Sequence, residues 1–312
     1  MSYRLEDYCI NGILPIDGGM GQELVRRSPG PTTALWSSQA LLDQPQLVQD
    51  LHEDYIRAGA KVITTNTYTT VRHRLQRDAG LGDKFVELNQ LAGQLAGQAR
   101  EATGASVLIA GSLPPLFGSY RPDQVRPIDE MEALYREQAE ILAPYVDFFL
   151  CETLSKSEEG IAAVQALQSL GKPIWVAWTL EDTRSSRLRG GEALGDACQA
   201  LLKAPVEALL VNCCAPESIA AAMPELAQFA PTVKVGGDAN GFQQIPVQWS
   251  IHDGLDVLGQ RRDLDPDRYA DHVMGWIGEG ATIVGGCCET TPAHIQALVE
   301  CLSPVPGTGS IG

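Results

Sequence analysis

The sequence is short of positive charge. Its 312 residues carry 23 lysines and arginines against 39 aspartates and glutamates, a formal net charge of −16. That deficit argues against nucleic acid or an anionic membrane as partner, since both need a basic face. No run of about eighteen apolar residues occurs, so no membrane-spanning helix is expected. Residues 1–9 lack an apolar signal region, and the expectation is a cytoplasmic protein. No Gly-x-Gly-x-x-Gly follows the first strand-like segment, which disfavours a dinucleotide-binding open sheet. There is no internal repeat and no linker-like stretch. The expectation is a single domain over 1–302 with a Pro/Gly/Ser-rich flexible tail at 303–312.

What the chain does carry is eight cysteines, several of them clustered. In a reducing compartment clustered cysteines are more often metal ligands or catalytic groups than crosslinks. Cys9, Cys198 and Cys301 lie in helical or terminal contexts and read as small core or surface residues. Three others sit where the chain reads as two strand ends: Cys213 after Asn212, and Cys287 with Cys288 after Gly285 and Gly286. Three thiolates converging from two strands make a soft-ligand site suited to Zn2+, with a fourth position open for a thiol substrate. Cys214 is the alternative to Cys213, which is preferred because it directly follows the strand. Neighbouring residues on a strand face opposite ways, so Cys287 and Cys288 can share a metal only if the backbone bends. Gly285 and Gly286 permit that bend.

Eight β-rich segments recur, each with a helical pattern behind it. They are 12–16, 61–65, 106–111, 146–151, 174–179, 208–212, 232–236 and 281–286. Helical stripes follow at 46–59, 157–170, 216–229 and 292–301, the last opened by Thr290 and Thr291 as N-cap candidates. Eight βα units predict an α/β fold, a closed (β/α)8 TIM barrel, because parallel strands need crossover helices and covered faces. A doubly wound open sheet is the alternative. Two stretches, 113–128 and 238–268, read as inserted loops.

In such a barrel, chemistry gathers at the C-terminal strand ends, and polar residues appear there. Asp17, Gly18 and Gly19 form either a tight turn or a cradle of backbone amides for a carboxylate. Glu152 follows an apolar run and needs a cation, which is either a substrate ammonium or a neighbouring arginine. Trp36 and Tyr68 are core aromatics, unless they face the mouth, where they suit an onium ligand. His52, His73, His252 and His272 read as solvated, the helix of His294 leads away from the mouth, and none of the five is placed as a metal ligand.

These residues resemble the homocysteine S-methyltransferase family. Asp17 to Gly19, the 65–68 run (Thr-Asn-Thr-Tyr) with Asn66 and Tyr68, Glu152, Asn212 with Cys213, and Gly285 to Cys288 match its motifs in order, from about 14 to 302. The resemblance implies a barrel whose catalytic zinc is held by Cys213, Cys287 and Cys288, with homocysteine sulfur at the open position. It implies that Asp17 and Glu152 meet the substrate amino group, that the Gly18 and Gly19 amides meet its carboxylate, and that Trp36, assisted by Tyr68, faces the donor. The donor is then a small sulfonium or ammonium compound, and the product is methionine. The chain lacks the folate and cobalamin modules and the C-terminal extension of other members, so S-methylmethionine is the expected donor. Betaine or S-adenosylmethionine as donor, and selenocysteine as acceptor, are the alternatives within the family. A zinc-storage or thiol-redox protein is the rival of another class.

Overall fold

Each of the eight β-rich segments forms a strand: β1 Leu14–Pro15, β2 Val62–Thr64, β3 Leu108–Leu113, β4 Phe148–Leu154, β5 Ile174–Trp178, β6 Val206–Asn212, β7 Lys234–Ala239 and β8 Ile283–Gly286. The computed structural model describes residues 3–28, 33, 35–246, 249, 253 and 256–303. The expected tail beyond 303, and part of the 238–268 stretch with His252, lie outside those residues. Neighbouring strands are parallel in the order β1-β8-β7-β6-β5-β4-β3-β2. A parallel bridge between Ile16 and Val62 joins the two ends, with Asp17 N–H donating to Val62 O at 3.0 Å. The sheet therefore closes into a (β/α)8 barrel.

Helices cover the outside. They are α1 Met20–Arg27, α2 Ser38–Asp43, α3 Pro45–Arg57, α4 Arg72–Ala79, α5 Phe85–Thr103, α6 Ile128–Leu142, α7 Ser157–Leu167, α8 Leu194–Leu201, α9 Pro216–Leu226, α10 Pro266–Gly278 and α11 Pro292–Leu302. The stripes at 157–170 and 216–229 each end in a short 3-10 turn, Gln168–Leu170 and Ala227–Phe229, where α-helix was expected throughout. Proline opens α11 at its first turn, where a missing N–H costs nothing, and Thr291 is its N-cap.

Strand alternation divides the core in two. Leu108, Ala110, Phe148, Leu150, Ala208, Leu210 and Ile283 pack together inside the barrel. Phe149, Cys151, Leu209 and Val211 face the helices. Carrying the inward alternation one step up each strand reaches Thr64, Ser112, Glu152 and Asn212. Asp238 pairs in register with Asn212 and Gly285, and so joins them. An apolar plug is thus capped by a polar layer at the strand ends. The polar layer is the floor of the site.

Two sequence expectations change here. β7 runs to Ala239, not Gly236, so Asp238 is a strand residue and the following loop begins at Asn240. His52 is buried on α3 at 0% exposure, not solvated; His294 is buried too, at 7%. Burial holds His52 neutral, its pKa down at about 3. His294 Nδ1 instead accepts the Thr291 N–H at 3.1 Å, closing the cap of α11.

Candidate metal and substrate site

The three cysteines meet above that floor. Cys213 Sγ lies 2.7 Å from Cys287 Sγ and 3.8 Å from Cys288 Sγ, and all three sulfurs fall within 4.8 Å of one another. They are the one His/Cys/Asp/Glu group among the described residues compact enough to hold a metal ion. Cys214 faces the other way, into the core between strands and helices. Cys213 is brought inward by left-handed backbone (φ 49°), uncommon for a side chain with a Cβ. Its N–H donates to Asp238 O at 2.9 Å, and Thr179 Oγ1 donates to its carbonyl at 3.1 Å.

Cys287 and Cys288 converge because β8 stops at Gly286 and a turn follows, with Thr290 N–H donating to Cys287 O at 3.1 Å. The bend does not use left-handed glycine; the residue with positive φ is Glu289. The two glycines are needed for closeness. A Cβ on Gly285 would stand 2.2 Å from Ile16 Cγ1, and one on Gly286 would stand 2.2 Å from Thr290 Oγ1.

Burial alone would raise the Cys213 thiol. Hydrogen bonds from Cys287, Cys288 and the Tyr120 hydroxyl, 3.0 Å away, outweigh it and hold Cys213 well below the usual thiol range. The cluster is therefore ready to present a thiolate. Tyr120 is also left-handed (φ 61°), and its ring packs edge-on to Trp249 and under the Arg189 guanidinium. Nothing in the Pro/Gly-rich stretch around it marked Tyr120 in the sequence.

The cavity at this mouth, open to solvent, spans about 830 Å3 and is lined by Asp17, Glu152 and Asp238, by the three cysteines, and by Trp36, Tyr68, Tyr120 and Trp249. No lysine, arginine or histidine lines it among the described residues. The arginine alternative for Glu152 is not what the structure shows: its nearest partner is the Ser112 hydroxyl. Burial pushes Glu152 up to about 8, with Cys213 and Asp17 adding repulsion against the Ser112 bond. Asp17 is pushed up to about 7 by burial, although Thr64 N–H and Oγ1 bind its two oxygens at 2.7 and 2.9 Å. Among the described residues that line the cavity, no cationic side chain offsets these carboxyls.

The remaining predicted residues lie at the same mouth. The Gly19 N–H is already spent on Thr290, with the carbonyl at 3.1 Å and Oγ1 at 3.2 Å, so of the two expected amides only that of Gly18 is left for a ligand. Trp36 is half-buried, left-handed (φ 47°), and stands edge-on to Tyr68 with ring centroids 6.0 Å apart. Gly21 makes room for it, since a Cβ there would meet the indole at 2.2 Å. Asn66 lines the cavity but gives its amide to Ser37 O at 3.0 Å, fastening the Trp36 loop. The indole N–H donates to Gln22 Oε1 at 3.0 Å, Gln22 donates to Glu289 Oε1 at 2.6 Å, and Arg26 pairs with Glu289. A polar chain thus runs from the aromatic to the residue after Cys288.

No helix among the described residues is long and apolar enough to cross a membrane. The homocysteine S-methyltransferase family profile matches residues 14–302. Homocysteine S-methyltransferase of Escherichia coli (strain K12) is 31% identical over 307 residues, spanning 92% of this chain and 94% of that protein. Selenocysteine methyltransferase of Astragalus bisulcatus is 25% identical over 323 residues, 92% of each. The crystal structure of the homocysteine methyltransferase MmuM from Escherichia coli in its metallated form superposes with a TM-score of 0.77 at 29% identity, covering 93% of this chain and 96% of that one. The strand order, the cysteine cluster and the extent of these matches agree, and this chain belongs to the homocysteine S-methyltransferase family.

Proposed function

We propose that the cysteine cluster holds one Zn2+ and that the chain moves a methyl group from a small onium donor to the sulfur of homocysteine, giving methionine. S-methylmethionine is favoured over betaine as donor. The observation that carries this reading is the composition of the cavity: three sulfurs and three carboxyls with no cationic side chain among the described lining residues. Such a wall suits a metal ion and positively charged ligands together. A storage or redox site needs the sulfurs but has no use for Asp17, Glu152 and Trp36 around them.

The donor set fits zinc. Tetrahedral Zn–S bonds of about 2.3 Å set sulfurs about 3.8 Å apart; the Cys213–Cys288 separation already matches this, while Cys287 Sγ, 2.7 Å from Cys213 Sγ, would have to move outward by about 1 Å. Held by Cys213, Cys287 and Cys288, a zinc ion would favour the thiolate form of an acceptor thiol at neutral pH, where a free thiol of pKa ~8.5 is mostly protonated.

The chain's residues then bind and align. Asp17 and Glu152 receive the acceptor ammonium, whose charge keeps them ionised. The Gly18 amide and the first turn of α1 receive its carboxylate. Trp36 and Tyr68 offer aromatic surface to the donor cation. The acceptor sulfur forms a bond to the methyl carbon as the donor's S–CH3 bond breaks, and the donor sulfur keeps the electron pair and leaves neutral. No general acid is required, so the reaction rests on positioning. Reduced thiols fit a cytosolic setting. The test is methyl transfer to homocysteine from S-methylmethionine, S-adenosylmethionine and betaine, each with and without a chelator. Transfer with none of them overturns the reading.

A further inference from the structure

Asp238 is a third carboxyl in the cavity, and neither motif nor resemblance points to it. It stands on β7 between Asn212 of β6 and Gly285 of β8, and its main-chain carbonyl binds the Cys213 N–H. It is 5% exposed, and its two oxygens differ. One is reached by the side chain of Asn212, which is itself fixed by Thr153 N–H at 2.8 Å and Thr153 Oγ1 at 3.1 Å. The other, Oδ1, is buried with no partner. Asp17 has both oxygens bound by Thr64 and Glu152 has one bound by Ser112. Of the three carboxyls, Asp238 has an oxygen that is both buried and without a partner.

An unpaired carboxylate oxygen in a closed site costs more than a hydrogen bond returns, unless a ligand completes it. Asp238 lies within electrostatic reach of Glu152 and Asp17. An alkylammonium offers three N–H donors in a fan. We infer that Asp238 is an acceptor-binding residue: its Oδ1 takes one N–H of the acceptor's ammonium group, so that Asp17, Glu152 and Asp238 together select thiols that carry an amino group. This deepens the proposed function and rests on it for the identity of the acceptor.

The experiment compares equilibrium binding of homocysteine and of 4-mercaptobutanoate, the same thiol acid without the amino group, to the zinc-loaded protein. Wild type is expected to bind homocysteine the more tightly. Asp238→Asn is expected to weaken homocysteine about 10- to 100-fold, the loss of one charge-assisted hydrogen bond, with 4-mercaptobutanoate and zinc content unchanged. Asp238→Ala should do the same. Equal weakening of both thiols, loss of zinc in either variant, or no preference in wild type overturns the inference. Methyl transfer is measured in parallel, so selective binding without turnover sinks the proposed reaction and leaves Asp238 assigned.

Discussion

The Tyr120 hydroxyl sits 3.0 Å from Cys213 Sγ, joining residues 93 positions apart. A hydroxyl held on a ligating thiolate fixes its direction and spreads its charge, the role outer partners play around metal ions. Tyr120→Phe should lower metal affinity about 10-fold in competition with a chromogenic chelator. An unchanged affinity would mean that the bond is absent once the ion is bound.

Metal content separates the adjacent cysteines. Purified reduced protein should hold about one zinc per chain. Cys213→Ala, Cys287→Ala and Cys288→Ala should each lose it, while Cys214→Ala, altered on the helix-facing side, should keep it. Metal analysis decides, and full retention by the Cys287 and Cys288 variants contradicts the cluster.

The aromatic edge of the cavity should govern the donor. An onium over an indole gains about 0.5–2 kcal/mol, so Trp36→Ala should raise the donor KM by about 2- to 30-fold and leave homocysteine binding alone. Gln22→Ala, which unties the indole from Glu289, should show a smaller effect of the same kind. Steady-state kinetics with S-methylmethionine at saturating acceptor reads both.

Glu152 makes stability depend on pH. Its carboxyl is raised from 4.5 to about 8, so the folded state holds a proton that the unfolded chain has released. That contribution is fully present below about pH 4.5 and is lost as pH rises through 8. Metal-free wild type should therefore lose thermal stability relative to Glu152→Gln between pH 5 and pH 9. The same variant should raise the homocysteine KM with zinc content intact. A stability difference that stays flat across that range would show Glu152 to be already ionised.

Much of the molecule was readable in the sequence because its signals are local. Runs such as 148–151 and 208–211 alternate between two apolar environments, and a strand buried on both faces shows as an unbroken apolar stretch. The 285–288 run stood out for the same reason. Asp238 was hidden because Gly236 and Gly237 carry no β-forming side chain, and the strand seemed to end before it. Tyr120, Gln22 and the Asp17–Thr64 pairing depend on contacts between distant segments. His52 looks like any polar residue on a helix; only the packing of α3 against its neighbours places it inside.

The apolar plug of Leu150, Leu210 and Ile283 beneath the polar floor makes the barrel a blind cup with one opening. Whatever lies deepest must enter first and depart last. If the amino-acid end of the thiol rests on Asp17, Glu152 and Asp238, the methyl donor arrives above it as a stopper at the rim formed by Trp36 and Tyr68. The two substrates then queue rather than compete, and the methylated product cannot leave until the spent donor has cleared the doorway.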